Sequence, residues 1–428
     1  MRDIKRRDFL KAVGSVGTAG VSTISGGFRK KGNTEPPEEI EPPPVARQNS
    51  DDYATIRVPS DYPTIQDGVN NAQEGDMVLV DPGVYEEEVS ITTPGVTVRG
   101  LERNEVILDG NFNMRNGIEV LETDGVVLEN MTPRHYEYNG FFWTGVNGYR
   151  GSYLTAYNNG DYGIYAFDSV NGRFEHSYAS GHPDSGFYIG QCNPCHAVIT
   201  DVIAENNAIG YSGTNASNDI TIKDSVWRRN MSGIVPNTLD SEKLAPQRSI
   251  RIANNEIHDN NNANAPTKAL QYPSFGTGVT VAGGVDNIIE ENEVRNHMNF
   301  GVSIIPMIDK NIWISSGNIV RKNEVRNSGR ADLALAAPAG SENYFEENDH
   351  TTSRPVSIEE IHSEGSLLSG MIGGDSMVTL VLLKQYLRAN MGRNPSGDWK
   401  NQPEPDEQES MPNPTGPPKP AVKGCCDE

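Results

Sequence analysis

The stretch NGFFWTGVNGYRGSYLTAYNNGDYGIYAFDSVNGRFEHSYASG (residues 139–181) contains the feature that decides the fold, a glycine before apolar or aromatic residues that returns at a fixed interval. Such glycines stand at positions 117, 140, 163, 186, 210 and 233, so the intervals are 23, 23, 23, 24 and 23 residues. The pattern resumes at Gly278 and Gly301. A period near 23 fits one turn of a solenoid built from short parallel strands. The sequence therefore predicts an all-β fold, a single-stranded parallel β-helix.

One interval breaks the period. Gly233 and Gly278 are 45 residues apart, and the extra chain falls in residues 236–249 and 260–278. Insertions at one level of a solenoid often build a wall beside its flat face, which favours a binding groove here. A loop without a role is the alternative.

Both ends of the solenoid carry a helical pattern. Ile65, Val69 and Ala72 have helical spacing, so residues 64–73 are predicted to form a cap helix over the first coil. After about Asp349 the period ends, and residues 376–391 are predicted to form a helix that packs on the last coil or its side. Its predicted apolar face consists of Met377, Leu380, Leu383, Tyr386 and Leu387.

The N-terminus resembles a twin-arginine export signal, because Arg6 and Arg7 precede a weakly apolar stretch rich in Gly, Ala and Val. This predicts an extracellular or cell-surface protein with no membrane span once the signal is removed. The predicted division is an export signal at 1–30, a Pro/Glu-rich linker at 31–53, the β-helix domain at 54–350, a helical segment at 351–395 and a disordered Pro-rich tail at 396–428.

The composition is acidic, with 58 Asp and Glu against 36 Lys and Arg and a net charge of -22. This charge argues against nucleic acid as a partner. It fits a halophilic source or simply a soluble acidic protein. Uronate polymers would be repelled unless cations intervene.

Two columns of residues recur at fixed distances from the repeat glycines, and residues in one column should stack. The first contains Phe142, Tyr165 and Tyr188, and the second contains Gln191 and Asn215. Facing outward, such aromatic and amide groups suit a sugar, so these five residues are candidate substrate contacts. The alternative is that the aromatic rings stack inside the coil as core.

Several side chains near the middle coils could take part in catalysis. Proton abstraction from a uronate needs a base and a cation, two carboxyl groups could hydrolyse a glycosidic bond, and carboxylates could also hold Ca²⁺. The spacing does not separate these chemistries. The candidates are Asp168, His182, Asp184, Asp240, Glu242, Lys243 and Arg248.

The sequence CNPCH (residues 192–196) has the spacing that attaches a c-type haem. In the repeat, however, Cys192 is in register with Val146, Ser169, Ala216 and Leu239, which predicts a core position. Haem is therefore not expected. A short-range disulfide between Cys192 and Cys195 and a pair of free thiols stay as alternatives.

Residues from about 55 to 349 resemble the right-handed parallel β-helix proteins of the pectate-lyase-like superfold, and the opening resembles their N-terminal cap. The part from residue 139 through SGIVPNTLDSE (232–242) looks like a group of exported bacterial and archaeal β-helix proteins without a settled activity. The resemblance implies the fold and leaves the activity open. The aromatic and polar columns and the insertion favour an exported protein that binds a polysaccharide in a groove along the middle coils and, if it is catalytic, processes it as a lyase, epimerase or hydrolase. A non-catalytic structural or adhesive surface protein is the alternative. Copper-loading relatives suggest metal handling as a third reading, although His and Met are few and unclustered.

Overall fold

The fold is described from a computed structural model, for residues 53–360 and 373–421. Parallel strands stack coil upon coil into three sheets, A, B and C. Sheet A contains Thr55–Val58, Met77–Val80, Thr97–Gly100, Val126–Arg134, Asn147–Tyr157, Val170–Glu175, Ala197–Thr200, Ser217–Lys223, Arg248–Ala253, Ile288–Glu290, Ile319–Arg321 and Tyr344–Glu346. Sheet B shares Val126–Arg134 and Asn147–Tyr157 and adds Gly83–Tyr85, Val106–Asp109, Tyr178–Ser180, Ile203–Glu205, Val226–Arg228, Glu256–His258, Glu293–Arg295, Glu324–Arg326 and Asp349–His350. Sheet C contains Val89–Ile91, Ile118–Leu121, Phe141–Thr144, Ile164–Phe167, Ser185–Gly190, Ile209–Thr214, Ser232–Asn237, Thr277–Ala282, Phe300–Ile305, Ala331–Leu335 and Ser353–Arg354.

The strands pair in steps of one coil, which confirms the period read from the glycines. Ile164 is paired with Phe141 on one side and with Phe187 on the other. Because side chains alternate along a strand, Phe141 and Trp143 are fully buried in a core that runs along the solenoid, and Phe142 points outward. The prediction of a parallel β-helix is therefore confirmed.

Asparagines bridge successive coils at the turns. Their side-chain amides bond to one another at 2.8 to 3.0 Å in runs that include Asn207–Asn230–Asn260, Asn255–Asn292–Asn323–Asn348 and Asn287–Asn318. The tight turns between sheets A and B use left-handed residues such as Asp224 and Asn254, with φ of 50° and 54°. Asn and Asp tolerate this conformation better than most residues.

The cap helix predicted at 64–73 is present as α1, Ile65–Asn71. The Thr64 side chain caps it by accepting a hydrogen bond from the backbone of Asp67 at 3.0 Å. Ile65 and Val69 are buried in the core, and Glu87 accepts hydrogen bonds from the first backbone N–H groups of the helix.

The second helix, α2, Ser376–Asn390, lies where the sequence predicts it but buries a different face. Its stripe of Val378, Leu382, Gln385 and Ala389 faces the molecule, whereas the predicted apolar residues are 44 to 53% exposed. Val378 and Leu382 pack on an outer surface of sheet C that is rich in alanine (Ala282, Ala331, Ala334 and Ala336). The smaller side chains of the buried stripe allow the helix to approach this flat surface closely.

Two short strands, Met307–Ile308 and Ile312–Trp313, form an antiparallel hairpin beside the solenoid. Short 3₁₀ turns lie at Tyr272–Ser274, Ile358–Glu360 and Trp399–Asn401.

Residues 396–421, part of the stretch predicted to be a disordered tail at 396–428, lie along the β-helix. Hydrogen bonds join Thr267 to Ser396 at 2.9 Å, Gln408 to Asn104 at 2.9 Å, Met411 to Asn130 at 2.7 Å and Arg99 to the Gly416 carbonyl at 2.7 Å. Proline favours an extended backbone whose carbonyl groups are free to accept such bonds. The predicted export signal at 1–30, the linker at 31–53 apart from Tyr53, and Cys425 and Cys426 lie outside the described residues.

Candidate active site

The aromatic column lies on the outer surface of sheet C. Phe142, Tyr165 and Tyr188 pair in successive strands, with ring centroids 5.1 Å and 4.6 Å apart. None of the three belongs to the interior core, which takes Phe141, Ile164 and Phe187 instead. The rings therefore form a stacked platform outside the solenoid.

The platform is open at one end and covered at the other. Phe142 is partly exposed, whereas Tyr165 and Tyr188 are 6% and 2% exposed. The Tyr162 ring lies over both, with centroids 4.5 Å from Tyr165 and 5.1 Å from Tyr188. The platform thus ends in an enclosed cluster.

Asp184 stands at this cluster, held by groups from the longer insertion. The Gln271 amide donates to Asp184 Oδ2 at 2.8 Å, and Lys268 Nζ lies 3.6 Å from the same oxygen while also bonding to Asp161. Burial raises the pKa of Asp184, the Lys268 ammonium opposes the rise, and the Asp161 carboxylate adds to it. The neighbouring Lys268 ammonium favours the ionised form of Asp184.

Glu242 reaches the same cluster from the shorter insertion. Tyr188 donates its hydroxyl to Glu242 Oε1 at 3.1 Å, and Glu242 Oε2 is buried without a hydrogen-bond partner among residues 53–360 and 373–421. Burial raises the pKa of Glu242 to about 8, the hydrogen bond from Tyr188 opposes the rise, and the charge of Asp184 adds to it. Glu242 therefore keeps its proton at neutral pH beside an ionised Asp184.

Gln191 and Asn215, predicted to contact substrate, instead hold the insertion that carries Glu242. The Gln191 side chain accepts from the backbone N–H of Lys243 at 3.0 Å. The Asn215 amide donates to the carbonyls of Leu239 at 2.8 Å and Lys243 at 3.0 Å. Their contribution to the site is to position residues 239–243.

The structure places the other candidates away from this cluster. Asp168 is exposed at a left-handed turn after Ile164–Phe167, and Arg248 begins a strand of sheet A. Asp240 accepts two hydrogen bonds from Asn311, at 2.7 and 2.6 Å, and so fastens the antiparallel hairpin.

His182, a candidate catalyst in the sequence, is a member of the polar run between coils. Its ring is fully buried, 2.8 Å from Asn207 Oδ1 and 3.3 Å from the Asn159 amide. Burial lowers the pKa of His182 to about 4, so the ring is neutral and engaged on both nitrogens. These contacts leave it no nitrogen to offer a substrate.

In the CNPCH stretch, a disulfide joins Cys192 and Cys195. Cys192 is paired with Ala216, as its register predicts, and both Cys192 and Cys195 are buried. His196 is bonded to Asp219 at 2.6 Å. A covalent haem would need two outward thiols, which this arrangement does not offer.

Four residues of the cluster were not among the candidates predicted from the sequence: Asp161, Tyr162, Lys268 and Gln271. Asp161 had a signal, since Asp161 and Asp184 each stand two residues before a repeat glycine, Gly163 and Gly186. Lys268 and Gln271 lie in an insertion outside the period, where no column identifies a neighbour.

Among residues 53–360 and 373–421, no group of three or more His, Cys, Asp or Glu is placed to hold a metal ion. In that same part of the chain, no helix is long and apolar enough to span a membrane.

Comparison with known proteins agrees with the fold. The sequence matches the family described as "Right handed beta helix region" over residues 104–242 and 139–306. The family match and the sheet topology together show that the fold is a right-handed parallel β-helix. No curated protein matches the sequence significantly.

Three solved structures with a similar fold are of proteins that act on polysaccharides. The A-module of the Azotobacter vinelandii mannuronan C-5 epimerase AlgE4 is 15% identical with a TM-score of 0.45, over 65% of this chain and 85% of the module. An alginate lyase from Paenibacillus sp. is 13% identical with a TM-score of 0.38, over 69% of this chain and 99% of the lyase. The catalytic domain of a GH87 alpha-1,3-glucanase is 10% identical with a TM-score of 0.43, over 73% of this chain and 67% of that domain. Similarity at this level carries no activity to this chain.

Proposed function

We propose that this protein, exported as its N-terminus predicts, binds a polysaccharide on the outer face of sheet C and hydrolyses it at Asp184 and Glu242. The observation that carries the proposal is the pair of carboxyl groups at the covered end of a stacked aromatic platform: Asp184 lies beside Lys268, whereas Glu242 has no ion pair with any described residue. Aromatic faces suit sugar rings, and two carboxyl groups in unlike surroundings suit an acid and a base.

In this mechanism Glu242 donates its proton to the glycosidic oxygen of the leaving group. Asp184, ionised beside Lys268, acts on the other side, as the base that activates water or as the nucleophile. Tyr188 orients Glu242 through its hydrogen bond, and Gln271 orients Asp184.

Hydrolysis is favoured over lyase or epimerase chemistry by the role of Lys268. Proton abstraction from a uronate needs a cation that neutralises the substrate carboxylate. Lys268 is bonded to Asp161 and stands 3.6 Å from Asp184, so protein carboxylates already engage it. A uronate at this position would meet three acidic side chains, Asp161, Asp184 and Glu242.

Substrate access requires movement of the segment over Tyr188, which is 2% exposed. Asp240, bonded to Asn311, and the fully buried Gln247, bonded to Asn287, mark the ends of this segment. Between them, Gln191 and Asn215 hold the backbone of Lys243. The stretch carries exposed residues such as Lys243 and Leu244, which suits a lid that opens over the acid when the bonds of Lys243 break.

The test is a panel of neutral, amino-sugar and uronate polysaccharides, assayed for new reducing ends, for unsaturated uronate and for inverted sugar configuration. New reducing ends without unsaturation are expected, and E242Q and D184N are each expected to lower the rate by about 10²–10⁴-fold. E74Q, in an exposed loop far along the chain, is the control and should keep full activity. Unsaturated products would show that the reaction is an elimination and not a hydrolysis. Binding without turnover would favour the adhesive alternative.

A further inference from the structure

The outer face of sheet C is open at its first coils. The column that contains the aromatic platform begins with Ser90 and Glu119, which pair in register with each other and with Phe142. A cavity of about 200 Å³ lies at this point, lined by Glu88, Val89, Ser90, Arg115, Asn116 and Glu119. From Glu119 to Tyr188 the surface extends over three coil steps of about 4.8 Å each.

The same face is closed beyond Tyr188. The next residues of the column, Ser212 and Val235, are each 6% exposed. Tyr272 and Phe275 of the longer insertion cover this region in one apolar cluster with Val235 and Ala389 of α2.

Helix α2 continues the cover to the end of the sheet. Gln385 donates to the Phe275 carbonyl at 3.0 Å, and the Arg388 guanidinium lies 5.7 Å from the Tyr272 ring, so helix and insertion form one wall. Val378 and Leu382 then bury the outer surface at Phe300. A chain lying on sheet C therefore cannot continue past the carboxyl pair.

An unsatisfied acceptor stands at the closed end. Gln271 is 7% exposed and, within the part of the chain that the structure describes, its Oε1 is buried without a hydrogen-bond partner, while its amide NH₂ donates to Asp184. A buried acceptor of this kind is costly unless a ligand donor reaches it. A hydroxyl or amino group of a sugar at the end of the platform would supply that donor.

We propose that the sheet C face is a blind groove that accepts the end of a glycan chain, with the terminal sugar against Gln271 and the following sugars over Phe142 and the Glu119 cavity. This rests on the proposed function, and it adds that the protein recognises chain ends rather than chain interiors. Glu88 and Glu119 line the open end together with one cation, Arg115, so acidic groups outnumber basic ones there and the glycan is one without carboxylates. Neutral and amino-sugar glycans meet that condition.

The experiment compares linear glycans with glycans that lack ends, using the full-length protein. The probes are pentamers of β-linked glucose, N-acetylglucosamine, glucosamine and galacturonate, and a cyclic glucan, tested by calorimetry and by product sizing. At least one carboxylate-free pentamer is expected to bind, and each such pentamer that is cleaved is expected to release an end fragment of one constant size from the first time point, together with the correspondingly shortened remainder. The cyclic glucan is expected to bind about 100-fold more weakly than the linear glucan if the latter binds.

A variant locates the terminal sugar. Q271M removes the acceptor and is expected to weaken binding of the preferred pentamer by about 10-fold, whereas L270A, at the exposed neighbouring position, should leave it unchanged. Unfolding temperatures measured alongside confirm that each variant is folded.

The outcomes separate the two proposals. Initial cuts at several different bonds of a pentamer, or equal binding of cyclic and linear glucan, would overturn end recognition and leave glycan processing intact. Preference for the galacturonate pentamer would overturn the charge assignment. If none of the probes binds or is cleaved, the proposed function itself fails.

Discussion

Tyr188 of sheet C donates its hydroxyl to Glu242 of the inserted segment at 3.1 Å, and this single bond joins the aromatic platform to the acid of the site. The two residues are 54 positions apart in the chain. The period brings Tyr188 to the platform, and the insertion brings Glu242 over it. The bond therefore marks the point where the regular solenoid and its irregular addition combine into one site.

Removing this hydroxyl should weaken the contact between lid and platform. Y188F removes the donor to Glu242 Oε1 and leaves this buried acceptor unsatisfied. The free energy of unfolding is therefore expected to fall by about 1–3 kcal/mol. The loss should nearly vanish when Y188F is introduced into E242M, whose side chain offers the hydroxyl no oxygen acceptor, and a double-mutant cycle by urea unfolding measures this. An equal loss in both backgrounds would show that the two side chains do not interact.

The raised pKa of Glu242 predicts a specific dependence of stability on pH. Its pKa is about 8 in the folded protein against 4.5 ordinarily, so the unfolded chain loses this proton first as pH rises. The contribution to stability is fully present below pH 4.5 and is lost as pH rises through about 8.

E242Q removes that proton exchange, so its unfolding temperature should fall less steeply over this pH range than that of the wild type. E74Q, with the same change at an exposed position, should keep the wild-type slope. Parallel slopes for wild type and E242Q, measured by thermal unfolding, would contradict the assignment of a buried protonated Glu242.

The lowered pKa of His182 predicts the opposite dependence of stability on pH. Its pKa is lowered to about 4 from 6.5, so the unfolded chain takes up a proton first as pH falls, and stability present above 6.5 is lost as pH falls toward 4. H182N places in the run the residue type that Asn159 and Asn207 already supply on neighbouring coils.

H182N should therefore resist acid better than the wild type, at the cost of a small cavity at neutral pH. Urea unfolding at several pH values measures both effects. H297N makes the same change at the second buried histidine, whose ring lies 3.3 Å from the Asn260 amide, and should act in the same direction. Loss of activity in H182N with stability retained would instead restore a catalytic role for this histidine.

The sequence predicted the fold well because a solenoid repeats one local pattern. The period fixed the register, so Phe142, Tyr165 and Tyr188 could be grouped into one column from the glycine spacing, although the spacing left open whether that column faces outward or into the core. The site was predicted only in part, because Lys268 and Gln271 belong to an insertion without a period. The exposed stripe of α2 was misassigned because the helix has apolar residues on two faces, and only the shape of sheet C selects between them.

The C-terminal tail provides a final test, centred on Arg99. This fully buried side chain donates to Glu129 Oε2 at 2.7 Å and to the Gly416 carbonyl at 2.7 Å, and Glu129 is itself fully buried. In R99M the cation that remains near Glu129 is Arg150, whose Nη1 lies 3.4 Å from Glu129 Oε1 in the wild type. Removing one partner of a buried ion pair costs about 3–5 kcal/mol, so a large drop in unfolding temperature is expected.

The same change removes hydrogen bonds to the tail, so residues 396–421 should become susceptible to limited proteolysis in R99M while the β-helix is still folded. Arg57 is the matched control, because it is largely exposed and lies 3.8 Å from Asp81. R57M should change stability by no more than about 1 kcal/mol and leave the tail protected. A tail that stays protected in folded R99M would mean that Arg99 does not fasten it, and that the bonds of Gln408 and Met411 to the solenoid suffice.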